Sequence, residues 1–342
     1  MSYAVDEDFE KSAEMLRAMP ELADFAGLGP LIDDYEAGVG QTALVAYRML
    51  TPEAEWRDTI AVQAAIYAAA LASFLIDDVM DRDESKPAFG MDDGRKSNLG
   101  GALLVAVYKL IGQSEFPHEV RQRLADEMSD LLLAASAAQE VEALLMSGDL
   151  PNPDPEANYW KVIHGKSSQQ VGRNLKLGAI MAGRPEWEQP MYELGVAVGD
   201  MSQIYDDITD AIYKIISPDW ESTCKNLLII FCLHENNPRR EEFIKHFKSA
   251  TTDPEAHTAC RQIMIESGAV GYAVYHYFTR YKNARKLIES FEGVDQSYML
   301  NLLNNNIRPI SHVLTELGVP LPEGVAEELK LEGDVSASLA QG

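Results

Sequence analysis

Two clusters of aspartate carry the chemistry open to this sequence. They are Asp77-Asp78-Val79-Met80-Asp81 and Asp206-Asp207-Ile208-Thr209-Asp210, each of the form DDxxD. On a helix the first and last Asp of such a cluster lie four residues apart and share a face, while the middle one sits one residue round. Like charges at that spacing repel. The residues leading into each cluster are apolar or neutral, AAALASFLI before Asp77 and MSQIY before Asp206. Carboxylates bunched at the mouth of an apolar helix are costly unless a cation holds them. Oxygen-only donors outside a calcium-binding loop suit Mg²⁺ completed by water and substrate phosphates. A solvated acidic face is the competing reading, and it explains one cluster more easily than both. A calcium loop starting at Asp81 lacks the glycine needed at its sixth position.

These carboxylates need long helices to hold them, and the sequence supplies helix after helix. Apolar residues recur at helical spacing, with almost no run of alternating β-branched residues. The expected helices are 5–19, 40–49, 97–112, 117–148, 155–182, 187–215, 220–234, 238–249, 254–291 and 295–317. Thr51-Pro52 is read as the start of a further helix of about 30 residues, roughly 45 Å long, that runs to Arg82 and carries the first cluster. Breakers separate them at Lys86-Pro87, Leu150–Pro155, Gly183-Arg184-Pro185, Ser217-Pro218 and Asn236-Asn237-Pro238. The expected architecture is all-α, a single large helical bundle over residues 1–332 with a flexible tail at 333–342.

Composition narrows the function. Lys plus Arg is 29 against 54 Asp plus Glu, a formal charge of −25, which excludes the basic face a nucleic-acid binder needs. An acidic protein that takes an anionic substrate needs metal ions or a local basic cluster to reverse its own field. Three cysteines without a CxxC point to a reducing compartment, hence a cytoplasmic protein. The N-terminal residues lack the apolar core of a secretion signal. The greasy stretch at 60–76 contains Gln63 and Ser73 and runs into Asp77-Asp78, so no stable membrane insertion is expected.

The two clusters lie on separate long helices. Gln203 precedes the second in QIYDDITD, GKSSQQVGRNLKLGAIMAG lies between them, and SPDWESTCKNL follows. With these elements the chain resembles the trans-isoprenyl diphosphate synthase superfamily over about residues 50–240, a fold shared with class I terpene synthases. The resemblance implies the isoprenoid synthase fold with a central apolar cavity, the acidic motifs on opposite walls, and three Mg²⁺ bridging them to the diphosphate of an allylic prenyl substrate. Asp77, Asp81 and Asp206 would then be the main metal ligands, with Asp78, Asp207 and Asp210 in supporting roles. Lys166 matches the family lysine on the substrate diphosphate. Lys225 falls near a second, although the family's Gly-Lys pair reads Cys224-Lys225 here. Gln203 would anchor a diphosphate water. Arg280-Tyr281 is similar to the Arg-Tyr pair that contacts diphosphate in bacterial class I terpene synthases. Homodimers are common in the superfamily, so a homodimer is expected.

The sequence departs from chain-elongating members at the site for isopentenyl diphosphate. No Lys or Arg occurs between Arg17 and Arg48, where those enzymes carry a Gly-Gly-Lys-Arg-type segment. Ala70 stands where they carry His, and Lys86-Pro87 where they carry Arg-Arg. Losing those charges removes the grip on a second diphosphate. The favoured expectation is therefore a class I terpene synthase, or cyclase, that ionises one prenyl diphosphate. The alternatives are a chain-elongating polyprenyl diphosphate synthase, a prenyltransferase with another acceptor, and a non-catalytic partner subunit. Ser73 and Ala72 occupy positions that gate chain length in the family, and their small size points to a deep shaft. Tyr67, Phe74, Tyr159, Trp160 and Tyr205 offer aromatic faces, for which core packing is the simpler role.

Overall fold

A computed structural model of the chain describes residues 5–34, 41–54, 56–81, 89–214 and 217–319. Asp81 ends a helix, but its side chain, Lys86-Pro87 and the tail at 333–342 lie outside the described residues.

The order of α-helices is α1 (Val5–Arg17), α2 (Leu28–Asp34), α3 (Gln41–Leu50), α4 (Ile60–Asp81), α5 (Asp93–Gln113), α6 (His118–Ser147), α7 (Pro155–Ile163), α8 (Gln169–Met181), α9 (Glu188–Tyr213), α10 (Leu227–Leu233), α11 (Arg240–Phe247), α12 (Pro254–Glu266), α13 (Ala269–Glu289) and α14 (Ser297–Glu316). The described residues contain no strand. Local chemistry sets many of the ends. Asp92, Asp154, Asn226 and Asp253 each accept a backbone N–H at a helix start, and Pro occupies the first turn of α7 and α12.

Several expected helices are divided. The helix expected from Thr51 begins at Ile60. Thr51 Oγ1 instead donates to the Tyr47 carbonyl at 2.6 Å and closes α3. A 3-10 turn over Trp56–Thr59 then leads into α4. The helix expected over 254–291 is broken by Gly268, whose φ of 89° is left-handed and starts a new helix in a new direction. The segment 155–182 is interrupted by a π-turn, His164–Ser168, in which the Gln169 N–H reaches back to the His164 carbonyl. Helix α10 starts only at Leu227, after a 3-10 turn over Pro218–Glu221. Helix α2 has no counterpart among the expected helices.

Two hydrophobic cores lie side by side. One gathers α1, α2, α4, α5 and α6, and the other gathers α9, α10 and α12–α14. Helices α3 and α8 contribute to both: Leu175 and Ala179 face one core, Leu177 and Ile180 the other. The two acidic motifs thus sit on helices rooted in different cores, joined through a shared seam. Residues 57–80 are apolar and long enough to cross a membrane, but 78% of the most apolar window is buried inside the protein. Gln63 is buried there too, and its amide donates to Thr59 Oγ1. The three cysteines are free and buried.

The seam requires close approach. A Cβ on Gly178 would lie 2.4 Å from the Ala43 carbonyl oxygen and 2.6 Å from the Ala46 Cβ. The nearest atoms are backbone and an Ala46 Cβ of α3, none of which can swing aside. Gly178→Ala is therefore expected to cost at least about 1–3 kcal/mol, read as a lowered urea midpoint with an unchanged m-value. An unchanged midpoint would show that the seam is not packed this tightly.

Candidate active site

The second motif splits its carboxylates between two surroundings. Asp207 faces into the protein and is almost fully buried. Its Oδ2 accepts from the Tyr159 hydroxyl at 2.8 Å and the Leu227 N–H at 2.7 Å, and its Oδ1 accepts from Gln203 Nε2 at 2.9 Å. Burial and the nearby Asp219 push its carboxyl well above the ordinary range, against the pull of those donors. Asp206 is on the outer face, open to solvent. The protein packed around it and the Asp210 charge nevertheless push its carboxyl up to about 6, with Lys214 opposing. Asp210 Oδ1 is 2.5 Å from Lys214 Nζ.

The first motif divides in the same way. Asp78 is buried and paired with Lys96 on α5, with Nζ to Oδ2 at 2.5 Å. Asp77 is half-buried, and its Oδ1 lies 2.8 Å from Lys166 Nζ. The same amine is 2.7 Å from Glu142 Oε2 on α6, and Lys225 Nζ lies 3.8 Å from that oxygen. Burial alone would lower the Lys166 pKa. Glu142 and Asp77 outweigh burial and hold it above the usual lysine range. Lys166 therefore stays charged, joined to the first motif and to Glu142.

Asp77, Lys166 and Lys225 are thus gathered around one acid that the sequence reading missed. No local spacing in the sequence marks Glu142, whose partners lie far away in the chain. Along α6, Glu127, Gln139 and Glu142 are polar positions that the structure buries. Glu127 grips Arg173 and Lys176 of α8 at 2.6 and 2.5 Å, as Glu142 grips Lys166.

The other expected site residues make the following contacts. Gln203 spends its oxygen on the Ser167 hydroxyl and its amide on Asp207. Asp78 and Asp207, expected to support the metals, are buried and bonded to Lys96 and to Tyr159 with Leu227. Tyr281 is buried with its hydroxyl against Asn304 at 3.3 Å and Arg285 at 3.1 Å, so it faces α14 and not the lysines. Arg280 Nε lies 2.6 Å from Asp200 Oδ2, with its guanidinium stacked 4.3 Å over Trp160. Ala70 and Ala72 are buried in α4. Ser73 and Phe74 are half-buried, with the Phe74 ring edge-on to Phe89 at 6.2 Å. Tyr67 and Tyr159 are core residues.

Among the described residues no three His, Cys, Asp or Glu side chains form a ready cage for a metal. The donors nevertheless fit Mg²⁺. The outward acids are hard oxygen ligands, and the burial and neighbouring Asp210 charge that together lift Asp206 are penalties a divalent cation would offset.

A sequence model of the polyprenyl synthetase family matches residues 40–264. Among curated proteins, the chain is 27% identical over 280 residues to a geranylfarnesyl diphosphate synthase of Aeropyrum pernix, covering 77% of this chain and 86% of that one. Among solved structures, a geranylgeranyl pyrophosphate synthase superposes with a TM-score of 0.77 at 18% identity, covering 91% of this chain and 99% of its own. A geranylgeranyl pyrophosphate synthetase of the archaeon Geoglobus acetivorans superposes at 0.74 and 20% identity, covering 90% and 100%. These solved structures carry the isoprenoid synthase fold expected from the sequence.

The state of Asp206 makes a pH prediction. Its carboxyl is raised in the folded chain from an ordinary 3.8 to about 6, so the native state binds the extra proton and loses stability as pH rises through that window. Without added metal, Asp206→Asn is expected to raise Tm relative to wild type at pH 7 and to change it little at pH 4. Equal shifts at both pH values would contradict the crowding of Asp206 and Asp210.

Proposed function

Because the chain belongs to the polyprenyl synthetase family, we propose that it is an Mg²⁺-dependent prenyltransferase that moves the prenyl group of an allylic prenyl diphosphate onto isopentenyl diphosphate. Chain elongation replaces the cyclase expectation as the main reading, because the curated relatives are diphosphate synthases. The family match carries the elongation reading, and Lys166, held charged between Asp77 and Glu142 with Lys225 close by, supports the diphosphate binding it needs. In a protein of net charge −25, these amines supply local positive charge beside the acidic motifs.

Asp77, Asp81, Asp206 and Asp210 would hold Mg²⁺, which as a Lewis acid supplies charge stabilisation for the departing diphosphate. Lys166 and Lys225 bind and orient that diphosphate through charge-assisted hydrogen bonds. Glu142 keeps both amines protonated and aimed. The apolar flanks of α4 and α9 exclude water from the prenyl chain as positive charge develops on it. A homodimer in the cytoplasm completes the reading by analogy with the superfamily.

A second reading has its own support. The missing cations between Arg17 and Arg48, and Ala70 in place of the family's His, favour ionisation of one substrate as in class I terpene synthases. Assays with geranyl, farnesyl and geranylgeranyl diphosphates, each with and without isopentenyl diphosphate, separate the two. The expected product is a longer prenyl diphosphate formed only with isopentenyl diphosphate. Lys166→Ala is expected to lower kcat/KM roughly 10- to 100-fold. A hydrocarbon or alcohol formed from one substrate would favour the cyclase, and no turnover on any substrate would contradict both readings.

A further inference from the structure

Lys166 does not sit on a regular helix. It lies in the π-turn His164–Ser168 between α7 and α8. Such turns are rare, depart from the preferred hydrogen-bond spacing, and are found frequently at functional sites. Something must hold this one in place. Three consecutive side chains leave it for three destinations: Lys166 to Asp77 and Glu142, Ser167 to Gln203, and Ser168 to Asp200.

The last link is the best anchored. The Ser168 hydroxyl donates to Asp200 Oδ1. Asp200 Oδ2 takes Arg280 Nε at 2.6 Å, and both side chains are mostly shielded from solvent. Arg280 is itself fixed on several sides. Its Nη1 lies 3.3 Å from the His276 carbonyl, and its guanidinium stacks 4.3 Å over Trp160 of α7. The adjacent Gly199 lets the backbones meet: a Cβ there would fall 2.7 Å from Ser168 Cα. Helices α7, α9 and α13 therefore converge on the end of the turn that carries Lys166.

We infer that Asp200 and Arg280 are positioning residues for Lys166, clamping the π-turn through Ser168 so that its amine is delivered between Asp77 and Glu142. Arg280 thereby acts through Asp200 and not as a diphosphate ligand. A guanidinium engaged along one edge by Asp200, at Nη1 by a carbonyl and on its face by an indole would have to abandon those partners to reach substrate. The inference rests on the reading of Lys166 as a diphosphate-binding residue.

Two measurements on the full chain test it. Amide hydrogen exchange over residues 163–169 reads the clamp itself. Calorimetry with inorganic diphosphate and Mg²⁺ reads its consequence. Asp200→Asn is expected to speed exchange across the turn, and to weaken diphosphate binding about 10-fold. Ser168→Ala removes the same link with a smaller change and should act alike even if Asp200→Asn folds poorly. The decisive comparison is with Lys166→Ala. If Asp200 and Arg280 work through that amine, the doubles Lys166→Ala/Asp200→Asn and Lys166→Ala/Arg280→Gln bind no more weakly than Lys166→Ala alone. Arg280→Lys, which keeps the charge but loses the stack, should recover part of the binding. Unchanged exchange in both Asp200→Asn and Ser168→Ala overturns the inference. So does a loss with Arg280→Gln that adds in full to that of Lys166→Ala, since Arg280 would then touch the anion itself. Failure of wild type to bind diphosphate would sink the functional reading, and the exchange result would still decide the clamp.

Discussion

One ammonium group shared by two carboxylates from different helices organises this molecule. Lys166 reaches Asp77 at the end of α4 and Glu142 on α6 from a turn leading into α8, the helix that joins the two cores. Unit charges a few ångströms apart interact by about 1 kcal/mol in water and by about 4 kcal/mol near a protein surface. Acid groups set against apolar helices in so acidic a chain need that compensation. The π-turn lets an otherwise helical segment spare residues for it, and Asp200 with Arg280 fixes where the turn points.

The DDxxD pattern divides its labour by helical geometry. In each motif the middle aspartate turns inward and becomes structural: Asp78 against Lys96, Asp207 against Tyr159 and Leu227. The tethers hold the ends of α4 and α9, so the neighbouring Asp77 and Asp206 are presented on stable backbone. One aspartate of each motif thus serves the fold, while Asp77 and Asp206 beside it stay more exposed to solvent.

Much of this was legible in the sequence. Apolar periodicity located most of the helices, and the paired acid clusters pointed to the family that the sequence model matches. The misses have physical causes. Thr51 caps backward onto α3, since a threonine hydroxyl can donate to a preceding carbonyl as readily as it can start a helix. A left-handed glycine and a π-turn both interrupt runs whose side-chain pattern still reads as helical. Lys96, Glu142 and Asp200 acquire meaning only from partners distant in the chain, which no local spacing reveals. The preference for a cyclase rested on missing cations. Those absences are real features of the sequence, but the curated relatives that match it are diphosphate synthases.

The central claim is that Asp77 and Asp206, from separate cores, serve one site for metal and diphosphate. Thermal unfolding with Mg²⁺ and inorganic diphosphate tests it most directly, because a ligand that binds only the folded state raises Tm. The account predicts that the two together raise Tm more than either alone, and that the gain vanishes in an Asp77→Asn/Asp206→Asn variant that still unfolds cooperatively. The same rise in that variant, or no rise in the wild type, would contradict it.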